Sequence, residues 1–95
     1  MNKELKKLAI EVDKILKEEL KKAKITYDMA EARIYDIKSV GVQGDERTYS
    51  YPAEIELRLD GKIVWDADFS KTLSNRITNE VSGINRVVYV FAVKK

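Results

Sequence analysis

Ninety-five residues carry 44% hydrophobic and 36% charged side chains, and 18 basic residues against 16 acidic ones leave a formal net charge of +2. A chain of this length makes one domain, residues 1–95, that hides roughly 60–70% of its unfolded surface. The balanced charge gives solubility without the strong positive field of a nucleic-acid binder. With no cysteine and no histidine, disulfides, thiolate and imidazole metal sites, and histidine acid–base catalysis are excluded.

Asn2 is a candidate helix cap. Leu5, Leu8, Val12, Ile15, Leu16, Leu20 and Ala23 then recur at three- and four-residue steps, a single apolar stripe that predicts a helix over 3–24. Asp13 with Lys17 and Glu18 with Lys22 place acid one turn before base, and the Lys21-Lys22-Lys24 run suits a helix C-terminus. This stretch has no apolar segment of the kind found in a signal peptide or a membrane span, so a cytoplasmic protein is expected.

From Ala30 the period changes to two: Ala30, Ala32 and Ile34 face one way, Glu31, Arg33 and Tyr35 the other. The phase slips after Asp36, which predicts a bulge or bend before Val40 and Val42. Tyr49, Tyr51, Ile55, Leu57 and Leu59 alternate with Glu54, Glu56 and Arg58, the pattern of a half-buried antiparallel strand, with Pro52 marking an edge or bulge. Asp60-Gly61 predicts a two-residue hairpin, after which Ile63, Trp65 and Ala67 continue the inward face. Asp68 or Ser70 caps a second helix bearing Leu73, Ile77 and Val81, and Gly83 ends it. Residues 84–93, INRVVYVFAV, are apolar on both faces, as a central strand is. The expected fold is α+β in two layers, two helices on a mostly antiparallel sheet, in the order α-β-β-β-α-β.

Two stretches are specific. SVGVQGDERTYSYP supplies Val40, Gly41, Val42, Gln43, Gly44, Asp45, Arg47 and Tyr49. SNRITNEVSGINRVVY supplies Ser74, Asn75, Arg76, Ile77, Asn79, Glu80, Val81, Gly83, Asn85, Arg86, Val87, Val88 and Tyr89. Together they closely resemble the C-terminal dimerisation domain of the glutamine-hydrolysing GMP synthetases. That resemblance implies a homodimer that completes an XMP pocket beside a separate ATP-pyrophosphatase domain. It assigns ligand contacts to Gln43, Arg86 and Lys94, with Gly41, Gly44, Asp45 and Arg47 shaping the loop. The sequence departs from the family pattern in carrying Val90 where the family has aspartate. It also ends at Lys95, before the family's Lys-Pro-Pro tail, so a purine monophosphate is expected to bind weakly, on the order of millimolar.

The family's Ser-Gly-Gly-Val-Asp-Ser phosphate loop does not occur here, nor does a glutaminase cysteine, so the chain by itself is expected to be non-catalytic, with no cofactor and no metal. Plainer roles stand beside these. The glycines can serve a turn that Asp45 and Arg47 pin, Arg76 and Glu80 can pair within a helix, and Trp65, Tyr89 and Phe91 can be core or interface aromatics. Two other functions compete. Gly41-Val42-Gln43-Gly44 matches the literal loop of KH RNA-binding modules, but there the loop joins two helices and here it joins two strands. The third reading is a ligand-free regulatory interaction module.

Overall fold

The computed structural model describes residues 3–36, 39–43 and 46–92, and within 39–43 and 46–50 the backbone alone. Helix α1 runs Lys3–Ala23, followed by β1 (Met29–Ile34), β2 (Ser39–Gln43), β3 (Glu46–Leu59), β4 (Lys62–Ile63), α2 (Ala67–Glu80) and β5 (Ile84–Tyr89). The stripe read from the sequence is the buried side of α1, with Val12, Leu16 and Leu20 almost wholly enclosed. The helix stops where Lys24 takes a left-handed backbone (φ 56°) and Ile25 N–H returns to Leu20 O at 3.1 Å, the reversal that satisfies a terminal carbonyl.

One strand organises the sheet. Along β3, residues 58 to 53 pair antiparallel with β1 and residues 50 to 46 pair antiparallel with β2. β4 is held through the Asp60-Gly61 turn, whose φ values of 54° and 76° give the left-handed pair expected of a tight hairpin. β5 lies along residues 51–55 and runs parallel, with an irregularity at Tyr51/Pro52 where the proline predicts one. Ala53, Ile55 and Leu57 point to the helices and are sealed by α1 and by Phe69, Leu73 and Ile77 of α2. The fold is thus the expected two-layer α+β arrangement, its first strand interrupted so that it counts as two. The interruption at residues 37–38 and the Asn2 cap lie outside the described residues.

Three local expectations are corrected. The return strand is only two residues long, so Trp65 leaves the inward face and is 54% exposed. The cap of α2 is Asp66, not Asp68 or Ser70: Asp66 is extended, and its carboxylate accepts the Phe69 N–H at 2.8 Å, three residues on, where a capping oxygen reaches. β5 is a flank of the sheet, not its centre; among the described residues it pairs with β3 alone. Its two-faced apolarity arises because Ile84, Val87 and Tyr89 meet the core while Val88 stays exposed. Gly83 joins α2 to this strand at φ 105°, with Leu8 carbons 3.5 Å from where a Cβ would stand.

The helices are clasped by a charge hub. Arg76 bonds Glu80 within α2 at 2.7 Å and reaches Glu18 and Glu19 of α1 at 3.1 and 2.9 Å. The Arg76–Glu80 and Asp13–Lys17 pairs are those read from the spacing. Lys22 pairs at 3.5 Å with Glu19 instead of Glu18, so Glu19 is shared between Lys22 and Arg76.

Candidate functional site

The motif-bearing residues sit on an arm. β2 and residues 46–50 of β3 pair with each other beyond the ends of β1 and β5. Gly41 stands opposite Thr48, Val42 opposite Arg47, and Gln43 opposite Glu46 at the arm's far end. Gly44, Asp45 and Lys94 lie outside the described residues. The described part of the glycine motif, Gly41 to Gln43, therefore lies on a strand that pairs with the next strand, not between two helices.

Arg86 is on β5 beside Pro52. It is exposed, with no hydrogen-bond or ion-pair partner among the described residues. A guanidinium fork is shaped to take a phosphate or carboxylate. The positions of Gln43 and Arg86 are separated by the run from Glu46 to Pro52, about 20 Å of extended chain. A ligand that touches both within one chain must be elongated; one that bridges two copies need not be.

Further along the same strand, the carboxyl end of β5 carries an exposed aromatic cluster. Trp65 meets Tyr89 edge-on with ring centroids 5.2 Å apart, and Phe91 lies 5.6 Å from Trp65 and 5.8 Å from Tyr89. Tyr89 is anchored, its hydroxyl donating to Val64 O, and burial pushes its pKa up to about 12. Trp65 and Phe91 are 54% and 65% exposed. Between α2 and this strand runs a cleft of about 280 Å³ lined by Ser70, Leu73, Ser74 and Val87. A contiguous apolar patch at a strand edge marks an interaction surface.

The open face of the sheet was not foreseen as a unit. Arg33 bonds Glu54 at 2.7 Å, Glu56 at 2.8 Å and Glu31 at 3.0 Å; Arg58 bonds Glu56 at 2.6 Å. Arg58 first and Arg33 second hold the Glu56 carboxyl below the usual carboxylate range, and the hydrogen bond that Arg33 donates to Glu56 raises the pKa of Arg33. The signal was present in the sequence: Glu54, Glu56 and Arg58 alternate opposite Glu31 and Arg33, but their register decides who meets whom. Among the described residues no cluster of histidine, cysteine, aspartate or glutamate could hold a metal ion, and no helix is long and apolar enough to cross a membrane.

Comparison with known proteins bears on residues 13–95, which match the family described as GMP synthase C terminal domain. Three similar curated proteins are all glutamine-hydrolyzing GMP synthases. That of Crocosphaera subtropica is 44% identical over 83% of this chain and 16% of its own length. That of Natranaerobius thermophilus is 42% identical over 83% and 17%, and that of Fusobacterium nucleatum 40% identical over 99% and 20%. The chain thus spans a sixth to a fifth of the length of these relatives.

Proposed function

The chain belongs to the GMP synthase C-terminal domain family, and from that premise we propose that it is a non-catalytic module that pairs with a second copy of itself. The pair completes a purine-nucleoside-monophosphate pocket beside an ATP-pyrophosphatase chain in GMP formation, in the cytoplasm. The observation that carries this reading is the exposed apolar edge of β5, with Trp65, Val88 and Phe91 uncovered, on a strand that also carries Arg86, an exposed arginine with no partner among the described residues. An apolar strand edge suits another copy of the chain, and a guanidinium suits a phosphate.

In this reading Arg86 grips the phosphate, Gln43 contacts the ligand from the end of the arm, and Lys94 adds a second positive charge. Gly41, Gly44, Asp45 and Arg47 shape the arm's turn so that backbone N–H groups approach the ligand. The ligation itself belongs to the partner chain.

Titration of the chain with XMP, GMP and IMP by calorimetry tests the pocket. Binding of at least one nucleotide, abolished in Arg86→Ala while the circular dichroism spectrum is unchanged, is the expected result. No heat with any of the three, alone or with an ATP-pyrophosphatase chain added, overturns the pocket. Sedimentation equilibrium at tens of micromolar tests the pairing, and a monomeric mass there overturns it.

A further inference from the structure

We infer that the second copy adds to the sheet along β5, so that two β5 strands run antiparallel about a two-fold axis near Val87; this rests on the pairing just proposed. The backbone dictates which groups are available. Val90 N–H bonds Ile55 O, so residues 86, 88 and 90 direct their backbone groups to β3. By the alternation of a strand, Val87 and Tyr89 direct theirs to the opposite edge. Among the described residues no strand lies there. An edge of this kind is normally blunted by lysine, proline or a covering element. β5 has neither lysine nor proline, and it is flanked by the exposed rings of Trp65 and Phe91.

A second copy fits this edge because the edge complements itself. With Val87 opposite Val87 of the other copy, Arg86 stands opposite Val88 and not opposite its own counterpart, so no like charges face each other directly. Arg86 then shares the open face with the other copy's Glu54, which neighbours Val88. Two strand spacings, about 10 Å between backbones, separate them, a span a guanidinium and a carboxylate can close together. The six residues of β5 are a short contact, and a stable interface needs about 800 Å² from each partner. Trp65, Phe91 and the cleft between α2 and β5 lie along the same edge and supply the remaining apolar area.

Amide hydrogen exchange read by NMR at several protein concentrations tests the geometry in the unaltered chain. The Val87 and Tyr89 amides are expected to gain at least tenfold protection as the dimer forms, while the Lys14 and Lys17 region of α1 does not change. Val87→Pro removes one outward N–H, which a flanking strand tolerates, and is expected to weaken pairing at least tenfold in sedimentation with the monomer still folded. A chain that stays monomeric at every concentration overturns the pairing itself. A dimer whose Val87 and Tyr89 amides gain no protection, or one that a folded Val87→Pro variant forms with unchanged affinity, overturns only this arrangement. Should the variant not fold, the exchange measurement decides.

Discussion

The two faces of β3 bury side chains by different means. On the helix side Ala53, Ile55 and Leu57 are 0–1% exposed because two helices cover them. On the other side no helix or strand lies over the sheet among the described residues, yet Glu56 is only 8% exposed. Its cover is Arg33 and Arg58, whose guanidinia close over its carboxylate. One face is held by apolar packing, which is non-directional and scales with area. The other is held by charge-assisted hydrogen bonds, which depend on register and on each partner's presence. The first kind of burial needs another layer; the second is built from neighbours on the same strands and leaves the face open to a partner.

Breaking the packed face has the larger effect. Ile55→Ala or Ile77→Ala leaves a cavity under fully enclosed atoms and is expected to cost about 2–5 kcal/mol in denaturant unfolding. Lys14→Ala, on the exposed side of α1, is the control and is expected to stay within about 0.5 kcal/mol. Equal losses at all three positions would mean that the helix face is misassigned.

Breaking the open face comes next. Arg33→Ala strips Glu54 and Glu56 of a shared partner and leaves Glu56 with Arg58 alone. The expected loss is about 1–3 kcal/mol, the range for a shielded polar group that loses its bond. Arg33→Lys is expected to recover only part of it, because a point charge cannot fork between Glu54 and Glu56 as the guanidinium does. Full recovery by lysine would show that charge alone, without the fork, closes this face.

The two kinds of burial also differ in how readable they were. α1 declared itself through its period, and the tight hairpin through Asp60-Gly61, because both signals are local. Asp66, Asp68 and Ser70 are all good caps within five residues, and only backbone geometry selects Asp66; choosing a later cap put Trp65 on the inward face. β5 misled because a strand apolar on both faces reads the same whether it is central or flanks the sheet with one edge uncovered. At the candidate site, the residues of the glycine motif and Arg86 were legible as a motif. Their separation along β3 was not, since it depends on the pairing of β2 and β5 with a third strand. The Arg33 lattice was hidden for the same reason, although each of its residues sits in plain alternation.

The smallest effect sharpens the comparison by acidity. Of the two faces of β3, only the open one carries carboxylates among the described residues, so acid probes it without touching the apolar face. The folded chain holds Glu56 below its ordinary value of 4.5, through the hydrogen bond from Arg58 and then that from Arg33. A carboxyl depressed in this way adds stability that is fully present above the unfolded value and is lost as pH falls through the folded one. Below about pH 4.5 the unfolded chain takes up the proton first, and the balance shifts toward unfolding. Glu80, depressed by Arg76 on α2, works in the same direction, so wild-type stability declines on acidification from both hubs. Glu56→Gln removes one contribution and leaves the other. It is expected to be less stable than wild type at pH 7 and to converge on it as the pH falls below 4, with a shallower acid slope between. The measurement is the urea midpoint of both chains at half-unit steps from pH 7 to pH 3. Parallel curves across that range would mean that Glu56 is shielded without being stabilised as a carboxylate, and that its arginines serve only to cover it.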